Sequence, residues 1–399
     1  MPKNLVLCCD GTSNGFRADK TNVLRLVEVL ESGRSQHLYY DPGVGTLPEP
    51  DLSSKLRENI RKWMSLGLGL GLDQNVEEAY TFLMNYWEPG DKVFLFGFSR
   101  GAYTVRVLAG MLHMLGLLPS GNENLVPYLL RMYGGTRDLG NGEDAEGQSK
   151  YWKLCNEFRG TFARTLEGQT SRRFPIHFVG AWDTVSSVGW FWEPRTYPYT
   201  FANPSIHTVR HAVSIDERRW FFRQNLFKRD VAGQDLRELW FPGSHCDVGG
   251  GYAEAGGGIW RVAFQWMVEE AAGKGLCVDQ HRMDNLLKRP PVPDLSWTEK
   301  VNESLRSWWW LAEFFVPKWA YSARTKKRHI ALGFGRRRTI PAGALFHNAV
   351  LHRLRDELLK YKPQNIDVSF RDLTKKLKSV PEWMAYTPAS AGGGRTRQE

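Results

Sequence analysis

The chain has 399 residues, 42% of them apolar and 24% charged, an ordinary balance for a folded protein that argues against disorder over most of the length. Its net charge of +10 suits anionic partners of every kind, so charge alone does not separate nucleic acid from lipid headgroups or an acidic protein. Five scattered cysteines, Cys8, Cys9, Cys155, Cys246 and Cys277, form no CxxC pair, which argues against a disulfide framework or a thiolate metal site and for a reducing compartment.

Met1 to Asn4 lead straight into the apolar strand Leu5 to Cys9 without a signal-peptide pattern, so a cytoplasmic location is expected, with export left to other proteins. Asp10 to Asn14 break that strand, and Thr21 to Leu30 repeat apolar residues at helical spacing. His37 to Tyr40 form a second strand, stopped by Asp41-Pro42-Gly43. Gly67 to Gly71 read equally as a gating loop or a linker before a helix from Asp73 to Trp87. Val93 to Phe96 form a third strand, followed by a helix entered at Ala102. Its apolar stretch Val105 to Leu118 is too short to cross a bilayer and carries Arg106 and His113, so it reads as buried. Arg137 to Lys150 suggest an exposed loop, and Ile176 to Ala181 and Leu239 to Pro242 two more strands. Beyond Pro290 the alternation fades into a Trp-rich, basic region, a helix from Leu345 to Tyr361 and a disordered tail at Ala391 to Glu399.

Strands separated by helices imply parallel βαβ units, and continuous apolar runs fit strands covered on both faces. The expected fold is therefore α/β, a doubly wound, mostly parallel sheet with helical insertions and a C-terminal appendage. The expected division is a catalytic domain over 1–290, a mostly helical region over 291–385 packed on it, and a tail over 386–399.

Gly97-Phe98-Ser99-Arg100-Gly101 has the G-x-S-x-G pattern, for which average composition gives roughly 0.1 to 0.3 chance matches in a chain this size. Context decides here: the serine follows an apolar strand and precedes a helix, the strand-turn-helix setting of a nucleophile elbow in an α/β-hydrolase fold. The alternative is a tight turn whose glycines serve packing alone. A serine hydroxyl needs a histidine to take its proton and a carboxylate to orient that histidine, in the chain order Ser, acid, His. Asp183, just past the strand ending at Trp182, is the expected acid, with Asp247 its main rival. His245 is the expected base, with His211 and His347 as rivals. Bland readings stand beside both: a helix cap for Asp183, a structural loop histidine for His245. For the oxyanion, the Arg100 backbone N–H is one expected donor, and Gly11 or Thr12 the other. Asp10-Gly11-Thr12 also has the end of the D-x-D-G-T motif of haloacid-dehalogenase-type phosphatases, but Cys8 stands where that chemistry needs its nucleophilic aspartate.

Five ordered segments, Asn4 to Asn14, Tyr40 to Thr46, Phe96 to Tyr103, Val179 to Val185 and His245 to Tyr252, resemble the α/β-hydrolase domain of type VI secretion phospholipase effectors, over about residues 4–255. A fainter echo falls at His347 and Tyr361-Lys362-Pro363. The resemblance implies hydrolysis of a carboxylic ester through an acyl-enzyme, with phospholipid acyl esters that family's best-known substrate, and export by a specialised secretion system. No metal or organic cofactor is required.

Trp308-Trp309-Trp310, Phe314-Phe315, Trp319 and Tyr321 are followed by the basic clusters Lys326-Lys327-Arg328 and Arg336-Arg337-Arg338. Rings with nearby cations suit peripheral contact with an anionic membrane. Packing onto the hydrolase core is the favoured alternative, because soluble proteins seldom expose so large an apolar patch. A catalytically silent hydrolase-fold module that binds a partner protein or membrane is the rival to an enzyme. The basic clusters lack any motif that reads nucleic acid, so specific nucleic-acid binding is not expected.

Overall fold

Buried residues alternate between two faces along the inner strands: Leu5, Leu7 and Cys9 face one layer and Val6 and Cys8 the other, and Val93 and Leu95 likewise oppose Phe94, Phe96 and Phe98. A strand apolar on both faces must be covered on both. The computed structural model describes residues 2–11, 19–43, 71–135, 145–166, 173–185, 189–190, 193–194, 197–252, 257–287, 293–305, 310, 318–322, 327–331 and 334–388. Its strands are β1 (Asn4–Cys9), β2 (Gln36–Asp41), β3 (Lys92–Phe98), β4 (Ile176–Trp182), β5 (Gly189–Trp190), β6 (Glu193–Pro194), β7 (Ile206–Ser214), β8 (Asp235–Phe241), β9 (Lys318–Ser322), β10 (Lys327–Ala331), β11 (Leu345–His347) and β12 (Trp383–Ala385). Eight of them form one sheet in the order β2-β1-β3-β4-β7-β8-β11-β12. Every neighbouring pair is parallel except β11 with β12. The remaining four pair as two small antiparallel ribbons, β5 with β6 and β9 with β10.

The described helices are α1 (Asn22–Val29), α2 (Leu72–Tyr86), α3 (Arg100–Leu115), α4 (Val126–Gly134), α5 (Ala145–Phe162), α6 (His245–Gly249), α7 (Trp260–Ala272), α8 (Gln280–Leu287), α9 (Asn348–Arg355) and α10 (Val368–Lys375). Side chains of α2, α3, α4 and α5 cover one face of the sheet, and those of α1, α7 and α8 cover the other. Helices on both faces of a parallel sheet make this an α/β fold of the doubly wound kind. None of the described helices is long and apolar enough to cross a membrane.

Several expectations need correction. The region beyond residue 290 adds β11 and β12 to the edge of the main sheet, where Phe346, Val350, Phe370 and Tyr386 share a third core with Val213 and Trp240. The helix expected from Leu345 is a strand for its first three residues, since these pair with β8 and β12, and α9 ends at Arg355. Ala145 to Lys150, read as loop, open α5. Strand β7 escapes an apolar scan because it buries Arg210, which is paired with Asp235 and Glu270, and His211, which is hydrogen-bonded to Glu238. Residues 67–70, 136–144 and 391–399, on which other expectations fell, lie outside the described residues.

Two glycines allow β3 to turn sharply into α3. A Cβ on Gly101 would sit 2.1 Å from the Cys9 carbonyl oxygen, and one on Gly97 would sit 2.5 Å from the Gly101 oxygen. Both obstructions are backbone, which cannot swing aside. Gly101→Ala is therefore expected to destabilise the protein by about 1 to 3 kcal/mol, the usual range for overpacking. Urea unfolding checks this, and an unchanged midpoint would show that β1 can retreat from the turn.

Candidate active site

Ser99 stands between β3 and α3 at φ 58°, ψ −120°, a left-handed backbone conformation that is costly for a residue with a Cβ. Hydrogen bonds hold it there. Its N–H donates to the Trp182 carbonyl at 3.0 Å, and its own carbonyl accepts from the N–H groups of Tyr103 and Val185 at 3.3 and 3.4 Å. The end of β4 and the start of α3 thus grip the same residue, which stands as N-cap at the positive end of the helix dipole.

Past the end of β8, Ser244 caps α6 and His245 is its first residue. His245 Nε2 lies 2.8 Å from Ser99 Oγ, and Nδ1 lies 2.6 Å from Asp183 Oδ2. The ring sits beside Phe98 and Phe222, with centroids 4.6 and 4.7 Å away. Its backbone N–H donates to Glu217 Oε2 at 3.1 Å. Glu217 is paired in turn with Arg219, and although burial alone would raise its carboxyl, that guanidinium draws it down to about 2.

Asp183 follows β4 with φ 40° and no exposure to water. Burial by itself would push its carboxyl up. The Arg338 guanidinium and the His245 ring outweigh that and hold it well below the usual carboxylate range. Arg338 reaches it through Nη1 to Oδ1 at 2.5 Å and Nη2 to Oδ2 at 3.0 Å. Ser214, at the end of β7, donates its N–H to Oδ1 at 2.8 Å and its hydroxyl to Oδ2 at 3.1 Å. For His245, burial lowers the imidazole below its ordinary value, with Asp183 partly opposing. An ionised carboxylate at Nδ1 keeps the ring proton there, so the neutral ring presents Nε2 as an acceptor to the serine hydroxyl.

The rivals have other work. Asp247 accepts from the Ser244 N–H and hydroxyl at 2.8 and 3.0 Å and from both nitrogens of Asn302, as a helix cap and loop tether. His211 is held by Glu238 and the Thr184 N–H. His347 caps α9 and stacks on Phe241. The Gly11 N–H, an expected oxyanion donor, donates to Asp10 Oδ1 at 2.7 Å. Arg100 opens α3 as expected, while Thr12 lies outside the described residues.

The basic triplet Arg336 to Arg338 does not face a membrane as a unit, because Arg338 is buried on Asp183 and Arg337 lies 3.8 Å from Asp216. Trp310 is partly exposed beside Arg218. Trp308, Trp309, Phe314, Phe315 and Lys326 lie outside the described residues. Ser214, Glu217, Arg219 and Arg338 were missed from sequence. The available signal was the density of charge in Asp216-Glu217-Arg218-Arg219, which falls just past a strand's carboxyl end.

A family model described as the catalytic domain of Tle1-like phospholipase effectors of type VI secretion matches residues 3–270. The chain belongs to that family. The uncharacterized protein YEL023C of Saccharomyces cerevisiae is 38% identical over 233 residues, which cover 56% of this chain and 33% of that protein, so the chain spans about a third of that relative's length. Among solved structures, an uncharacterized protein from Pseudomonas aeruginosa aligns at 20% identity and TM-score 0.38 over 74% of this chain and 52% of its own. A Tle1 effector bound to the VgrG spike of the type 6 secretion system aligns at 16% identity and TM-score 0.31, over 63% and 51%.

The two aspartates should separate by stability. Asp183→Asn removes the carboxylate paired directly with the buried Arg338 guanidinium, and breaking a buried pair from one side typically costs about 3 to 5 kcal/mol. Asp247→Asn keeps the size and one acceptor oxygen of a capping side chain and should cost about 0.5 to 2 kcal/mol. Thermal denaturation of the two variants side by side checks the order.

Proposed function

We propose that the protein is a serine ester hydrolase that cleaves acyl esters of phospholipids through an acyl-enzyme on Ser99. The observation that carries this reading is the continuous hydrogen-bonded chain Ser99–His245–Asp183, drawn from the ends of three parallel strands. Membership of the phospholipase effector family supports the lipid ester as substrate class.

In the first half-reaction His245 Nε2 takes the Ser99 proton as Oγ adds to the ester carbonyl. Negative charge gathers on the former carbonyl oxygen, stabilised by the Arg100 N–H at the positive end of α3. Asp183 keeps the imidazole in its reactive tautomer and stabilises the imidazolium without taking the proton itself. Collapse of the adduct breaks the ester C–O bond, and the imidazolium protonates the departing alcohol. Water then attacks the acyl-enzyme by the same route, releasing the fatty acid and restoring the serine hydroxyl. The route calls on no metal or organic cofactor. The net charge of +10 favours arrival at anionic lipid surfaces.

Ser99→Ala should keep the fold and lose fluorophosphonate labelling, with a fall in kcat on the order of a millionfold on p-nitrophenyl and phospholipid esters. His245→Ala should be nearly as damaging, and Asp183→Asn less so, by about ten-thousandfold. Stoichiometric labelling of Ser99→Ala at another serine would refute the assignment, and no labelling of wild type would favour a silent binding module.

A further inference from the structure

We propose that Arg338 is a positioning residue for the hydrolysis, clamping Asp183 in the orientation and charge state that His245 needs. The inference rests on the reading of Ser99, His245 and Asp183 given above. It extends the working site into a part of the chain beyond the family-matched residues 3–270.

The clamp is a fork on a fork. Two guanidinium nitrogens meet two carboxylate oxygens at 2.5 and 3.0 Å, and Nη1 also donates to the Ser214 hydroxyl at 2.7 Å and carbonyl at 3.2 Å. Nη2 additionally donates to the Phe222 carbonyl. Planar pairing of this kind fixes the carboxylate plane as well as its charge, which a lysine cannot do. Both side chains are withdrawn from water, at 3% and 0% exposure.

The backbone that carries Arg338 is itself fastened to the sheet. Asn365 Nδ2 donates to both the Arg338 and the Ile215 carbonyls, at 3.1 and 3.0 Å. Gln224 Nε2 donates to the Thr339 carbonyl at 3.1 Å, and Ile340 is buried in the third core. Arg338 is therefore delivered by a fixed segment rather than by a loose surface arm.

Its charge has a consequence for the histidine. The charged groups around His245 are Asp183 after β4, Glu217 and Arg219 after β7, Asp247 on its own helix, and Arg338 behind Asp183. Arg338 neutralises much of the Asp183 charge, so the pair binds a proton less readily than an unclamped pair would. Removing the guanidinium raises the proton affinity of the His245–Asp183 pair, wherever that proton resides. The acid limb of the pH profile must then move upward.

The test compares full-length wild type, Arg338→Met and Arg338→Lys on a soluble p-nitrophenyl ester, with kcat and KM followed across pH and the folded fraction set by circular dichroism. Arg338→Met should lower kcat by about ten- to a thousandfold with KM within about twofold, and should shift the acid limb of kcat/KM upward by on the order of one pH unit. Arg338→Lys keeps the charge and loses the fork, so kcat should fall while the limb stays near wild type. If Arg338→Met does not fold, the lysine variant decides: wild-type kcat in folded Arg338→Lys overturns the clamp. A folded Arg338→Met with wild-type kcat, or with reduced kcat and an unmoved limb, also overturns it. Parallel Ser99→Ala and fluorophosphonate labelling separate the two levels. If wild type labels at Ser99 and the Arg338 variants behave as wild type, only the clamp fails; if wild type neither labels nor hydrolyses, the catalytic reading and the clamp fall together.

Discussion

A carboxylate sealed from water must be neutralised where it stands, and the centre of this protein is organised around that requirement. Asp183 has no exposure, and its two oxygens collect donors from the end of β7, from the first residue of α6 and from a guanidinium 155 residues further along the chain. Unpaired ions in such a place cost several kcal/mol each. Three remote segments are thus obliged to converge on one point. Ser214, His245 and Arg338 occupy their places partly because Asp183 does.

The elbow imposes a complementary demand of shape. Ser99 projects toward His245 only because the chain turns within a residue, and that turn brings α3 against the Cys9–Asp10 backbone. Strain at Ser99 and Asp183, both at positive φ, is held by hydrogen bonds between neighbouring strand ends, Ser99 to Trp182 and Asp183 to Ala212. The same bonds that keep the strain also set the spacing of the two side chains.

Much of this was legible in the sequence, for a physical reason. In a parallel sheet the carboxyl ends of neighbouring strands gather on one edge, so a serine, an aspartate and a histidine that each follow an apolar run are candidates to meet. Ser99, Asp183 and His245 obey that rule. Arg338 does not, because its role depends on a partner far away in sequence, and its own neighbours Arg336 and Arg337 give it the look of a solvated cluster. Strand β7 was hidden for a related reason. Arg210 and His211 interrupt its apolar pattern, and their burial becomes intelligible only beside Glu270, Asp235 and Glu238. At Gly11 the pattern was equally silent about a local contact, since the amide expected to serve the oxyanion donates here to its neighbour's carboxylate.

Sequence separation within the site bears on how the chain comes together. Ser99 and His245 are 146 residues apart, and Asp183 and Arg338 are 155 apart, so each contact closes a long loop and carries its entropic cost. The residues up to Asp183, just past β4, include the serine and the aspartate but neither His245 nor Arg338. Every link of that chain of contacts therefore needs residues beyond β4, and the first 183 residues by themselves hold none of them.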